Sequence, residues 1–292
     1  MKSKKLKNIT FWGSSNFSLK VLKEIIDDFN ILFVVLKNRK GDFFDFCESK
    51  NFKIFSYDEI QDIDLSSVQF SLVASFGAII PKNILEKSNF LNVHPSYLPF
   101  YRGATPIQSV LLNGEKESGI TVIKMNEKLD EGDIISQKKV YIKDNYNYDE
   151  LETIMAKESK DLINESIYTF NTIVPKKQDS SIATYCYVSD FSRDKVKIDF
   201  GKNANEVVNL IRASYPAWFY MNNNTIVNIK DATVSDIKSK DGLQILPNEK
   251  DLYIACKDFY IKVNLIQKEG KKYQSGRDFK NGLSNIKDFR FF

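Results

Sequence analysis

Histidine is almost missing from this sequence, with a single imidazole in 292 residues. Cysteine is scarce as well: Cys47, Cys186 and Cys256 stand far apart, with no Cys-x-x-Cys pair and no Cys/His cluster. A metal site is therefore not expected, and an odd number of thiols gives no disulfide framework. Three reduced thiols suit a protein of the cytoplasm. Long apolar runs are also lacking. Runs such as Ile31 to Leu36 and Leu72 to Ala74 fall far short of the ~20 residues a membrane-spanning helix needs. The opening Met-Lys-Ser-Lys-Lys-Leu-Lys has no apolar h-region and no small-residue cleavage site, so no secretory signal is expected. Gly-x-Gly-x-x-Gly and Gly-x-x-x-x-Gly-Lys are both absent. Neither a nicotinamide cofactor nor ATP then has direct support.

What is present is a globular composition, 42% hydrophobic and 27% charged, at a length that suits two domains. The net charge of +4 is unevenly placed. Residues 193 to 292 carry 18 Lys and Arg against 12 Asp and Glu, a balance of +6, which leaves 24 and 26, or −2, for residues 1 to 192. A basic half suits a polyanion such as RNA, although a lysine-rich surface can equally be only a solvated one.

The first third alternates strand and helix patterns. Ile9 to Trp12 reads as a strand closed by Gly13-Ser14-Ser15, and Phe17, Leu19, Val21, Leu22, Ile25 and Ile26 follow at mostly helical spacing. Ile31 to Leu36 and Phe70 to Ala74 are continuously apolar strands, with a helix near Phe43 to Ser49 and a short strand at Lys53 to Phe55 between them. Strands buried on both faces and separated by helices predict a parallel sheet covered on each side. Ligands of such sheets bind beyond the carboxyl ends of the strands. Tyr148 to about Ile173 reads as one long helix, Pro175 to Ser181 as a polar link, and Ala204 to Ala213 as a short helix. After that come short strands at 226–229, 243–246, 252–255 and 259–266, separated by turn residues such as Asn222-Asn223-Asn224 and Asp241-Gly242. They predict a small antiparallel barrel.

The lone histidine lies in Leu91-Asn92-Val93-His94-Pro95-Ser96-Tyr97-Leu98-Pro99. If Leu91 to Val93 ends a strand, Asn92 and His94 share a face, because side chains alternate. An amide donor beside an imidazole can serve an oxyanion. A second segment, Ile120 to Met125, has strand character and leads through a loop to Asp130, Gly132 and Asp133. A carboxylate near an imidazole favours its charged form and can take up a proton.

Taken together, Asn-Val-His-Pro-Ser-x-Leu-Pro-x-Tyr-Arg-Gly-Ala-x-Pro-Ile-Gln, then Gly-Ile-Thr-Val and Leu-Asp-x-Gly-Asp, closely resemble the folate-dependent formyltransferases, above all the tRNA-formylating members. The likeness spans nearly the whole chain. It includes Phe11 to Ser18 at the opening strand and turn, Ser75 to Pro81 at the folate pocket, and Leu265 to Lys272 with Asp278 to Gly282 near the end. The resemblance implies an α/β chain: a Rossmann-like parallel-sheet formyltransferase domain over residues 1–182, then a small OB-like β-barrel domain over 183–292 that meets tRNA. It implies transfer of a formyl group from 10-formyltetrahydrofolate to the amino group of methionyl initiator tRNA, by a monomer in the cytoplasm. By position, Asn92 would hydrogen-bond the formyl oxygen, His94 would stabilise the oxyanion as a cation, and Asp130 would hold that charge and help remove the amine proton through water. Phe76, Gly77, Ile79, Ser96, Tyr97, Leu98 and Pro99 would bind the folate, with Tyr97 where the family has leucine. The chemistry is sound in itself: a fixed donor for an oxyanion is worth about 10²–10³ in rate, with no metal required. One departure concerns the long basic loop that follows the second strand in the tRNA-formylating members. Here Val35 to Asp42 is basic but much shorter. Sugar-nucleotide formyltransferases, which share the Asn, His and Asp set and lack that loop, are the alternative. An inactive RNA-binding relative is a third reading.

Overall fold

The computed structural model describes residues 6–214, 216–221, 225–240 and 244–283. The turns expected at Asn222-Asn223-Asn224 and Asp241-Gly242, with Leu243 at the start of an expected strand, lie outside the described residues. The elements run β1 (Lys7–Gly13), α1 (Asn16–Ile25), β2 (Phe29–Leu36), α2 (Asp42–Ser49), β3 (Ile54–Ser56), β4 (Phe70–Ala74), α3 (Lys82–Leu85), β5 (Asn89–His94), β6 (Arg102–Gly103), α4 (Pro106–Leu112), β7 (Glu117–Lys124) and β8 (Asp133–Tyr141). They continue with α5 (Tyr148–Thr169), β9 (Tyr185–Cys186), α6 (Ala204–Ala213), β10 (Ala217–Met221), β11 (Thr225–Lys238), β12 (Leu252–Ala255), β13 (Phe259–Lys268), β14 (Gln274–Ser275) and α7 (Gly276–Asn281). The chain divides into two compact units. The first holds residues 1–106, 117–141 and 150–186, and the second holds 107–116, 142–149 and 187–292.

The first unit is built on a seven-stranded sheet of order β3-β2-β1-β4-β5-β7-β8. From β3 to β5 the strands are parallel, as their apolar runs predict. Every residue of β4 is buried, as are the last five of β1. The last two strands differ: β7 runs antiparallel to β5, and β8 antiparallel to β7. Residues 125–132 join β7 to β8 as a hairpin, a connection that only antiparallel neighbours allow at this length. Trp12, Phe76 and Phe90 meet edge to face at 5.5 and 5.1 Å, the offset geometry that aromatic quadrupoles favour. The buried polar groups beneath are paired: the Trp12 indole donates to the Thr10 hydroxyl, which donates to Ser71. Ser15 caps α1 reciprocally with Ser18, each hydroxyl accepting the other's backbone N–H. The same Ser18 hydroxyl donates to Ala74 O at 2.6 Å, tying α1 to the end of β4.

The second unit carries the antiparallel sheet β10-β11-β13-β12, with β14 paired to β13. β11 is longer than expected, running from Thr225 to Lys238 through several register shifts along β13. Its first stretch packs inward on α6, whose Val207, Val208 and Ile211 join Phe219, Val227, Ile254, Ile261 and Phe279 in one core. Two cations are buried for structural reasons. Arg212 points at the carbonyls of Leu111, Lys143 and Asp144. The Lys280 ammonium donates to Leu246 O and Glu249 O at 2.6 and 2.5 Å. Burial pushes the Cys47 and Cys256 thiols up to about 12, so neither is a nucleophile at neutral pH. Among the described residues no helix is long and apolar enough to cross a membrane.

Candidate active site

The site lies on β5 and the loop that precedes β8. Asn92 and His94 are two residues apart on β5 and so share a face. The 125–132 loop carries Asp130 to that face. Asp130 has φ +53, a left-handed conformation that aspartate tolerates better than most residues. Gly132 explains the rest of the Leu-Asp-x-Gly-Asp string, since a Cβ there would lie 2.0 Å from the Lys124 carbonyl oxygen.

Asp130 is the centre of the cluster and is 9% exposed, and His94 is 4% exposed. The Asn92 amide donates to Asp130 Oδ1 at 3.1 Å. The Gly103 backbone N–H donates to Oδ2 at 2.9 Å. His94 Nδ1 stands 3.6 Å from the same Oδ2, an ion-pair distance longer than a hydrogen bond. On its other side, His94 Nε2 is 2.9 Å from the Tyr101 carbonyl. That oxygen can only accept, so Nε2 carries the proton and donates. The three residues expected to act together are thus brought together. The nearby Asp133, which closes the string, pairs in register with Lys124 at the start of β8.

The sequence reading missed four contributors. Gly103 N–H and Tyr101 C=O are backbone groups, invisible to a search for reactive side chains. Gly103 has φ +116, and a Cβ there would lie 2.2 Å from Cys186 O, which explains the glycine after Arg102. Arg102 is wholly buried, and Gln178 comes from the segment read as a polar link. The signal for Arg102 was its place inside the motif; for Gln178 there was none.

The residues expected around the folate fall into two groups. Phe76 is buried against Trp12, Gly77 has φ +70, and Ile79 is 80% exposed, all on the loop after β4. Tyr97 and Pro99 are half-buried on the turn after β5, while Ser96 and Leu98 are buried. The Ser96 hydroxyl donates to Phe100 O at 2.6 Å, and Leu98 packs with Ile123 and Ile134. These two shape the turn. Because β4 and β5 are parallel neighbours, both loops leave the sheet at the same edge. The short loop after β2 joins them: Lys37 N–H donates to the Ser14 hydroxyl, and its ammonium to Gly77 O at 2.8 Å. Arg39 is paired with Glu59 at 2.9 Å. Among the described residues no group of three His, Cys, Asp or Glu side chains could hold a metal ion.

Comparison with known proteins extends this picture. The profile of the family described as Formyl transferase matches residues 28–167, and that of Formyl transferase, C-terminal domain, matches 191–284. The chain is 30% identical to the methionyl-tRNA formyltransferase of Campylobacter lari over 299 residues, covering 95% of this chain and 97% of that one. It is 30% identical to the enzyme of the same name from Caldicellulosiruptor saccharolyticus, over 94% of this chain and 96% of that one. Among solved structures, WlaRD, a sugar 3N-formyl transferase crystallised with dTDP and 5-N-formyl-THF, superposes with a TM-score of 0.69 at 24% identity, over 92% of this chain and 100% of its own. At that identity the likeness speaks for the fold. The matched profiles and the end-to-end relatives show that the chain belongs to the formyl transferase family and is a one-carbon group transferase.

Proposed function

We propose that this protein transfers the formyl group of 10-formyltetrahydrofolate to the amino group of methionyl initiator tRNA. The observation that carries this reading is the likeness to methionyl-tRNA formyltransferases from end to end, C-terminal domain included. In this reading the amine attacks the formyl carbon, the new C–N bond forms, and the carbonyl pair moves onto oxygen. Asn92 has a second amide hydrogen beyond the one given to Asp130, and it is available to that oxygen. His94 spends Nε2 on Tyr101, so Nδ1, not hydrogen-bonded to Asp130 at 3.6 Å, is the nitrogen that can meet the oxyanion. Asp130 lies at ion-pair distance from that ring, which acts as a cation in this reading, and receives the amine proton through water. The C–N bond to the folate then breaks and the folate nitrogen takes up a proton. Phe76, Gly77 and Ile79 on one loop and Tyr97 and Pro99 on the other would frame the folate, with Ser96 and Leu98 holding the second loop in shape.

Residues 1–182 would form the catalytic domain and 183–292 the domain that grips tRNA, in a monomeric cytoplasmic enzyme. One observation favours a second reading, formylation of an amino sugar carried by a nucleotide. The basic loop after β2 is short, and Lys37 and Arg39 there are engaged within the protein. The deciding assay supplies purified protein with 10-formyltetrahydrofolate and either charged initiator tRNA or amino-sugar nucleotides. Formylation of the tRNA alone is expected, and turnover of the sugar nucleotides alone would overturn the proposal.

A further inference from the structure

Gln178 lies between two anchors. On one side Ile134 and Lys176 exchange both backbone hydrogen bonds at 2.8 Å. On the other, β9 pairs in parallel with β6, so Tyr185 lies opposite Arg102 and Cys186 opposite Gly103. The chain between these anchors therefore passes beside the loop that bears Asp130. The Gln178 carboxamide spends all its capacity there. Its NH₂ donates to Asp130 O at 2.7 Å and to Gly132 O at 2.8 Å. Its oxygen accepts from Arg102 Nε and Nη2 at 3.0 and 2.8 Å. The orientation is dictated, because a guanidinium only donates and carbonyls only accept.

Arg102 is fixed in turn. It is 0% exposed, donates to the Tyr185 and Ser180 hydroxyls at 3.2 and 3.3 Å, and lies 3.4 Å from the Glu131 carboxylate. A buried guanidinium needs such partners, and an amide clamped by one has no freedom to drift. The clamped object is a backbone that needs holding. Asp130 sits at φ +53, and both carbonyls that Gln178 grips belong to that same turn.

We infer that Gln178, locked by Arg102, is a positioning residue that sets the Asp130 carboxylate against Asn92, His94 and the Gly103 amide. It never touches a reacting atom; it acts through Asp130. The inference rests on the reading of Asp130 as part of the formyl-transfer machinery. A displacement of about 1 Å at such a group costs roughly 10²-fold in rate, so a remote amide can carry that much.

The test is a double-mutant cycle on the full chain, combining Gln178→Ala with Asp130→Ala. It is read by single-turnover formyl transfer to the accepting amine and by the NMR signal of the only histidine. Gln178→Ala alone is expected to lower the rate of the chemical step about 10²-fold with KM for the folate little changed, and to move the His94 ring signal. In the Asp130→Ala background the same change is expected to do almost nothing more to either readout. Gln178→Glu keeps a partner for Arg102 but puts a carboxylate against two carbonyls. It is therefore expected to fail as Ala does, whereas a filler role would let it pass. Equal losses from Gln178→Ala in both backgrounds would overturn the inference, as would a histidine signal that stays in place. If Asp130→Ala itself left the rate intact, the reading of Asp130 would be the one to fall.

Discussion

Asp130 and Lys271 show how differently the two units use charge. The Asp130 carboxylate is 9% exposed and shares its oxygens among Asn92, Gly103 and His94. Lys271 and Lys272 stand in water. In the first unit the polar groups of the candidate site are held by one another, so each has a defined orientation. Removing the Asp130 carboxylate takes the acceptor from both the Asn92 amide and the Gly103 N–H, at about 1–3 kcal/mol for each group left unsatisfied. In the second unit much of the formal charge is already used. Arg212 and Lys280 are buried on carbonyls, Arg193 pairs with Glu269, Lys195 with Asp190, and Lys262 and Arg277 both with Asp251. The pairs on Asp251 hold its carboxyl below the usual range. The excess of six read from composition is already net of these acidic partners, so only the burial of Arg212 and Lys280 withdraws positive charge from what a polyanion could reach.

The sharpest break of this contrast is at His94. His94→Ala is expected to abolish formyl transfer while the chain still folds, because no second imidazole exists to take over. Steady-state kinetics with a thermal melt measure both. Retention of more than about a tenth of the activity would exceed what loss of one oxyanion donor permits and would remove His94 from the mechanism. Asp130→Asn is expected to cost somewhat less, about 10²-fold in kcat, although it is isosteric. An amide has one accepting oxygen where the carboxylate has two, so its NH₂ must face either the Asn92 donor or the Gly103 N–H. Asn should therefore be no better than Ala at this position. If Asn kept near-normal kcat and Ala did not, the carboxylate would be a spacer, and the interlocked picture of the first unit would fail.

How much of this was legible in advance depended on range. The apolar runs at β1, β2 and β4 and the shared face of Asn92 and His94 follow from periodicities of a few residues, and they hold in the structure. The directions of β7 and β8 did not follow, because period-two alternation reads the same in either direction. Asp130 was named through the family motif. Its physical reason, a left-handed turn closed by a glycine packed on Lys124 O, needs contacts that no local pattern encodes. Gln178 was hidden for the opposite reason. Its segment reads as a solvated link, yet it delivers a fully bonded amide to a buried arginine. The Asp278 to Gly282 string was likewise recognised before it was explained: Phe279 enters the core and Lys280 holds the carbonyls at 246 and 249.

The smallest expected effect tests the other side of the contrast. β13 ends at Lys268, and the chain reverses through Glu269 and Gly270, with Lys271 N–H donating to Lys268 O at 2.9 Å. Gly270 takes φ +77 with nothing within 4 Å of its absent Cβ, so the turn needs glycine for its conformation and not for space. β14 then pairs back onto β13, which places Lys268, Lys271 and Lys272 around one tight reversal. Lys268 lies over the Phe279 ring at 5.4 Å, whereas Lys271 and Lys272 are exposed. Exposed lysines of this kind position a phosphate backbone without reading its sequence. Replacing both with alanine is expected to raise KM for tRNA several-fold, leave KM for the folate and kcat unchanged, and leave the melting temperature in place. The logarithmic salt dependence of tRNA binding should flatten by about 0.7–0.9 for each phosphate that is no longer neutralised. Equilibrium binding across a salt series measures that slope directly. If tRNA is the substrate, the second unit has more of the grip to supply, because Lys37 and Arg39 of the loop after β2 are engaged within the protein. An unchanged slope would mean that the reversal at Gly270 faces only solvent, and the amino-sugar nucleotide reading would gain at the expense of the tRNA reading.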